Sequence, residues 1–310
     1  MLLAGAVVLL AMLAGCEQKK YPDDPRETLK LGWQQLSSAE YDSAEEAFQY
    51  AAAHAKAGSR DFLMARFGLA NTMQNRKPVH DYDAAAAVYR ELADADKGGE
   101  IGSWSALSIV RMQHLKLYEV GHTSGGDFGG STLPSDAELD AVRTEYDKIA
   151  VNFPNTDAAD EGNMFTGASY IEEITPESID KGIAYLRRWL QSHPKSHYVG
   201  HAWGLISSGY EIEARTKPEL WTEVLDALIE QVKLKDPDKA NVSGDYYHVA
   251  RVAEIHANRP EIAKEYYWKL KKRYPTDARI FYCNRALKQL GDTVPDDPDE
   301  LAKAAKGGSS

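Results

Sequence analysis

One spacing rule recurs six times in this chain of 310 residues: apolar or small residues at i, i+4 and i+7, then Pro or Lys at i+12. The sets are Ala44-Phe48-Ala51-Lys56, Ala85-Tyr89-Leu92-Lys97, Val142-Tyr146-Ile149-Pro154, Gly182-Leu186-Trp189-Pro194, Leu225-Ile229-Val232-Pro237 and Ala263-Tyr267-Leu270-Pro275. Positions i, i+4 and i+7 share one face of an α-helix, so each set specifies a buried helical stripe. A Pro just beyond the stripe ends the helix, because it has no N–H to donate. First members stand 41, 57, 40, 43 and 38 residues apart. That interval leaves room for a second helix and two turns, and self-similarity at such a period marks a repeat array. The one long interval contains the glycine-rich stretch Gly121–Pro134 (GHTSGGDFGGSTLP). Between Thr28 and Gly291 no run alternates as a half-buried strand does.

The offsets resemble the second helix of a tetratricopeptide repeat, A-x3-F-x2-A-x4-P. The first helix of that repeat is visible in the opening unit, where Gly32 of Leu31-Gly32 precedes Ala44 by twelve residues and Glu40-Tyr41-Asp42 supplies the turn. The sequence departs from the pattern in having Lys56 and Lys97 for Pro, in degenerate later Leu-Gly positions, and in a period stretched beyond the usual 34 or so residues. The resemblance covers roughly residues 28–291 and implies an all-α fold, an α-solenoid of tetratricopeptide-like helical hairpins with a C-terminal capping helix. Helices are expected at 26–38, 42–57, 60–76, 82–95, 100–119, 136–152, 157–174, 177–192, 196–214, 218–234, 243–257, 260–273 and 277–290. Phe153-Pro154-Asn155-Thr156, His193-Pro194-Lys195-Ser196 and Tyr274-Pro275-Thr276-Asp277 each read as aromatic, Pro, then helix N-cap. This phrase is similar to that of envelope repeat proteins, including the repeat lipoproteins of outer-membrane β-barrel assembly and the periplasmic cell-division coordinators.

The N-terminus carries a different signal. Met1 to Gly15 holds no charged side chain, is almost wholly apolar, and ends in Leu13-Ala14-Gly15-Cys16. It is too short to span a bilayer comfortably as a helix but has the length of a secretory apolar region. This resembles the lipobox of bacterial lipoproteins, although no Lys or Arg precedes Cys16 as such signal peptides normally have. The resemblance implies cleavage before Cys16, acylation of Cys16, and membrane attachment through its acyl chains, two or three of which anchor stably. Glu17, where enteric lipoproteins destined for the inner membrane carry Asp, then implies an outer-membrane location facing the periplasm. Glu17–Arg26 (EQKKYPDDPR) reads as an extended tether reaching at most about 35 Å. The expected organisation is a signal peptide at 1–15, a lipidated tether at 16–27 and helical repeats at 28–120. An inserted loop follows at 121–134, further repeats and the capping helix at 135–291, and a mobile tail at 292–310.

A formal charge of −11 argues against nucleic acid, which needs a basic face. The basic run at Lys269, Lys271, Lys272 and Arg273 reads as a solvated last turn that offsets the helix dipole. The glycine-rich stretch has a helix before it and no Lys after it, so it is not a phosphate loop. It reads as a surface loop, with Phe128 as the apolar tip of a partner contact. His197 and His201 share a helical face, but no Cys or carboxylate stands at a matching position, and no metal or cofactor is expected. Paired carboxylates such as Glu45-Glu46 and Glu172-Glu173 diverge around a helix. With no G-x-S-x-G elbow, the chain offers no catalytic candidate and is not read as an enzyme. With Cys16 acylated, Cys283 is left as a lone thiol, read as a buried small hydrophobe.

Aromatic residues give the functional hint. Tyr246-Tyr247 and Tyr266-Tyr267-Trp268 are consecutive and cannot all face one core stripe, so Tyr246, Tyr247, Tyr266 and Trp268 are candidate partner-binding residues. Trp33, Trp104, Trp203 and Trp221, near expected helix starts, are read as packing against the preceding hairpin by default, with lining of the groove as the alternative. The expectation is a membrane-anchored protein–protein interaction scaffold of the bacterial envelope, binding an envelope protein along the repeat groove. The alternative is a periplasm-facing binder of a glycan or other small ligand.

Overall fold

The computed structural model describes residues 20–123 and 134–294. Among them are thirteen α-helices, one short 3₁₀ turn and no strand. The helices are α1 (Pro25–Ser37), α2 (Tyr41–His54), α3 (Arg60–Asn75), α4 (Tyr82–Ala95), α5 (Glu100–Thr123), α6 (Asp136–Asn152) and α7 (Asp157–Ile171). They continue as α8 (Pro176–Ser192), α9 (Val199–Ala214), α10 (Trp221–Lys233), α11 (Ser243–Ile255), α12 (Pro260–Arg273) and α13 (Ile280–Gln289). The chain divides into two compact units after Gly162, within α7.

In unit 1 each helix packs on its predecessor from α1 to α6. The first helices of successive hairpins also meet, α1 with α3 and α3 with α5. Phe48 of α2 is fully buried at this junction. A Cβ on Gly32 of α1 would come within 2.8 Å of its ring, and one on Gly68 of α3 within 2.4 Å. Glycine on both sides is therefore what admits the ring between two helices. Unit 2 repeats the device once, where a Cβ on Gly167 of α7 would lie 2.5 Å from Leu186 of α8. From α8 to α13 each helix again packs on its predecessor. Here, however, no Cα of α9 comes within 8 Å of one of α11. The fold is all-α, built of repeated helical hairpins.

All but one of the apolar stripe positions in the six sets are buried. The exception is Ile229, which is half-buried because its neighbour Leu228 turns inward instead. The stripes also carry polar ties. Tyr89 donates to Gln74 Oε1 at 3.1 Å, Tyr185 to Asn163 Oδ1 at 2.9 Å and Tyr267 to Glu254 Oε2 at 2.6 Å, while the Tyr146 hydroxyl lies 3.2 Å from His114 Nδ1. Each joins the second helix of a hairpin to its first; the buried stripe rings of Tyr89, Tyr146 and Tyr267 thus have their hydroxyls partnered, while Tyr185 lies beside its stripe and is half-buried.

Several expectations shift at the ends of elements. Thr156 caps α7 through Ala159 N, at 3.2 Å. Ser196 and Asp277 instead form one tight turn each before the helix, so α9 starts at Val199 and α13 at Ile280. The expected 218–234 helix is split, with Pro218–Leu220 as a 3₁₀ turn ahead of α10. The expected tether does not extend freely as far as Arg26. Tyr21 is buried against Tyr50, with ring centroids 5.0 Å apart, and Asp24 caps α1. Nor is the C-terminal tail loose from 292 onward. Asp292 accepts from Trp268 Nε1 at 2.8 Å and pairs with Lys264 at 3.1 Å, and Val294 is buried in the α10–α13 core. Residues 295–310 of the expected tail, 124–133 of the expected loop, and the signal peptide with Cys16 lie outside the described residues.

Candidate functional site

Each unit presents a groove on its first helices. In unit 1 the groove has a volume of 420 Å³ and is lined by α1, α3 and α5. Trp33 comes from α1, Met64, Phe67, Asn71, Gln74 and Asn75 from α3, and Trp104, Ser108 and Arg111 from α5. Trp33 packs edge-on against Phe48 at 5.1 Å and lies 6.3 Å from Phe67, which in turn lies 5.4 Å from Tyr89. A continuous aromatic row thus rises from the core to the groove and fixes the half-buried rings of Trp33 and Phe67. Asn75 Nδ2 donates to Asn71 O at 2.8 Å and to Asn71 Oδ1 at 3.2 Å. Gln74 is oriented by Tyr89. The result is three carboxamides in a row beside three large rings. Amides carry donors and acceptors in the arrangement of a peptide bond. Charge in the groove is balanced, since Arg111 pairs with Glu161 at 3.3 Å and Glu100 with Arg60 at 2.8 Å.

The groove of unit 2 is wider, at 650 Å³, and occupies the space that α9 and α11 leave between them. Its wall on α9 is Gly200, His201, Gly204, Ser208 and Glu211, with His197 in the turn before. Leu228 and Gln231 of α10, with Leu234 and Lys235 just after it, form the floor, and His248 of α11 the far side. Gln231 lies over the bare backbone of Gly204, whose Cβ would come 2.7 Å from Gln231 Nε2. Lys235 is held by Asp245 at 2.8 and 2.9 Å. His197 and His201 therefore share one groove, as their spacing suggests. No group of three or more His, Cys, Asp or Glu side chains converges as a metal site among the described residues.

The C-terminal aromatics form a separate cluster. Tyr246 meets Tyr266 edge-on at 5.9 Å, and Tyr247 meets Tyr267 at 6.2 Å. Tyr266, 4% exposed, lies in the core beside Tyr267 and offers a partner almost no surface. Consecutive residues of α12 both fit inside because neighbouring helices cover two sides of it. Trp268 is half-buried on a shallow surface formed with Glu265, Lys269 and Lys272, its indole N–H already given to Asp292. Tyr246 and Tyr247 are half-buried, and the Arg279 guanidinium lies 5.8 Å from the Tyr247 ring. Phe128 and Cys16 lie outside the described residues.

Trp33 and Trp104, read from the sequence as packing residues with groove-lining as the alternative, line the unit 1 groove, and Trp33 also packs on Phe48. Trp221 does pack, stacked on His256 at 4.0 Å. The amide row of α3 was missed. Its signal is the spacing Asn71-x2-Gln74-Asn75, which places polar amides on the face that also carries Phe67.

No family model matches the chain, and no curated protein sequence matches it. Among solved structures it is similar to a chain of the APC/C hetero-tetramer Cut9-Hcn1, at TM-score 0.46 and 14% identity over 88% of this chain and 44% of that one. It spans less than half the length of that relative. It is also similar to a tetratricopeptide repeat protein from Parabacteroides merdae, at TM-score 0.38 and 11% identity over 86% of this chain and 99% of that one.

Proposed function

We propose that this chain is a lipid-anchored protein–protein interaction scaffold of the bacterial cell envelope, and that its unit 1 groove takes an extended segment of an envelope protein. The observation that carries the reading is the row of carboxamides at Asn71, Gln74 and Asn75 set beside Trp33, Phe67 and Trp104. Such a surface pairs with peptide bonds along its amides and buries apolar side chains against its rings. Trp33 and Phe67, already fixed by ring packing, lose little freedom on binding, which favours aromatic anchors as the source of affinity. Acyl chains on Cys16, at an outer membrane facing the periplasm, restrict the search to the membrane plane and raise the effective concentration of a partner there. Tyr246, Tyr247, Trp268 and Phe128 are secondary contacts in this reading, and no catalytic step or cofactor is part of it.

The test is a photo-crosslinking residue at Asn71 of the full-length protein in its native membranes. The expected result is one dominant adduct with an envelope protein, lost in the Trp104→Ala background. No adduct, or one indifferent to Trp104, contradicts the reading.

The three histidines of the unit 2 groove favour a second reading, a glycan or other small polar ligand held by His197, His201, Gln231 and His248. Soluble cell-wall fragments should then shift the imidazole resonances of these histidines in a saturable way, and an unchanged spectrum removes the idea.

A further inference from the structure

Resting on the lipid-anchor reading above, we infer that Lys20 and Tyr21 clamp the first hairpin close to its own anchor, so that the exposed edge of α2 lies at the lipid headgroups. The clamp is built from both residues. Tyr21 is 8% exposed, its ring packs on Tyr50, and its hydroxyl donates to Glu46 Oε2 at 3.1 Å. The Lys20 ammonium pairs with the same Glu46 carboxylate and sits 5.5 Å from the Tyr21 ring. His54 stacks on the far side of the row, 3.9 Å from Tyr50, so three rings run along one edge of α2. Behind the clamp the chain stays fixed. Pro22 O accepts from the Thr28 hydroxyl at 3.3 Å, Thr28 itself is fully buried, and Asp24 accepts from Arg26 N at 2.9 Å.

Chain length does the rest. Only Glu17, Gln18 and Lys19 separate Cys16 from Lys20. Four Cα–Cα steps span at most about 14 Å, against about 35 Å for a tether free to Arg26. An acylated Cys16 sits at the headgroup level, so the Lys20 backbone is held within that shorter distance of the bilayer and the Glu46 carboxylate within one lysine side chain of it. Gln49, one turn from Glu46 and exposed, shares the edge. The surface fits a lipid bilayer because the covalent attachment ends beside it. Its consequence is that unit 1 meets the membrane by one side of its first hairpin and does not swing through the periplasm on a long leash.

The experiment uses full-length protein whose acylation at Cys16 is verified by mass spectrometry, placed in phosphatidylethanolamine–phosphatidylglycerol vesicles doped with a nickel-chelating lipid. A spin label is attached at Gln49→Cys. Cys283 stays unlabelled, because it is buried and its thiol is pushed up to about 12 by that burial. Headgroup nickel should relax the label strongly. Inserting about ten Gly-Ser residues between Lys19 and Lys20 should weaken the effect by about fivefold, since the clamp then hangs on a flexible linker. Equal relaxation with and without the spacer in acylated protein overturns this proposal alone. An unmodified Cys16 in mature protein overturns the anchor and the proposal together. In a separate arm without lipid, Tyr21→Ala should speed tryptic cleavage after Lys20 by about tenfold, as the local structure opens more often. Equal cleavage rates overturn the clamp whatever the state of Cys16.

Discussion

In unit 1 the first helices of successive hairpins lie side by side, α1 on α3 and α3 on α5, whereas in unit 2 α9 and α11 keep every Cα more than 8 Å apart. Both units use the same apolar stripe on the second helix of each hairpin. What differs is the residue the stripe meets. Phe48 sits between Gly32 and Gly68, and two bare backbones draw the flanking helices together. The stretch around α10 and α11 has no such pair. It is held by polar ties: Tyr267 to Glu254, Lys235 to Asp245, and a clasp in which Asp277 accepts from Arg279 Nη2 at 2.6 Å while Arg279 donates to Ser243 Oγ at 2.8 Å. The α1–α3–α5 groove carries three large rings and three carboxamides, whereas the groove between α9 and α11 is larger and carries three histidines. One repeat rule therefore builds two different surfaces, and at the α1–α3 contact the glycines on either side of Phe48 set how closely the helices approach.

The sharpest way to break this comparison is at Phe48. Phe48→Ala should cost about 3–5 kcal/mol in urea unfolding, the price of emptying a fully buried aromatic site. Hydrogen exchange should rise mainly in α1–α4, because repeat arrays transmit damage chiefly to neighbours. Uniform loss of protection through α11–α13 would mean that the stripe residues are not local fasteners.

A smaller effect is expected at the polar ties. Tyr267→Phe leaves the part-buried Glu254 carboxylate without its phenol donor and should cost about 1–3 kcal/mol, against about 1 kcal/mol for Tyr89→Phe, whose partner is a neutral amide. Equal losses would remove the distinction drawn between a charged and a neutral acceptor.

Smaller again is the clasp. The Arg279 guanidinium holds the Asp277 carboxyl well below the usual carboxylate range, chiefly through their side-chain hydrogen bonds. A folded-state value below the unfolded one means that the stabilisation is fully present above pH of about 4 and is lost as pH falls through the folded value. Arg279→Ala should therefore cost about 1 kcal/mol at neutral pH, the partial exposure of the pair reducing it, and progressively less in acid. A destabilisation that stays constant with pH would show that the clasp acts through packing alone. The least costly change is Ser135→Ala, which removes the capping box with Glu138 at the start of α6 and should cost about 0.5–1 kcal/mol.

The hairpin order was legible because stripes such as Ala263-Tyr267-Leu270 repeat at fixed offsets and Pro residues punctuate them. The ends of elements were less so. Ser196 and Asp277 are good cap residues, yet both close a tight turn first, whereas Thr156, at the same offset from its Pro, caps the helix directly. The groove was mostly illegible. A Trp near a helix start packs against a preceding hairpin or faces a groove depending on how helices from different repeats are rotated, and no local spacing encodes that rotation. Tyr266 failed as a candidate for the same reason, since burial on two sides of α12 depends on α10, α11 and α13 together.

The central claim is that the partner is read by the aromatic and amide groove of unit 1 and not by the histidine-lined groove of unit 2. The direct measurement is calorimetric titration of the partner segment crosslinked at Asn71 against the full-length protein, its Trp104→Ala variant and its His201→Ala variant. The account predicts a loss of about thirtyfold for Trp104→Ala, the scale of a central aromatic anchor, and less than about twofold for His201→Ala. Unchanged affinity in Trp104→Ala, or an equal loss in both variants, would contradict it.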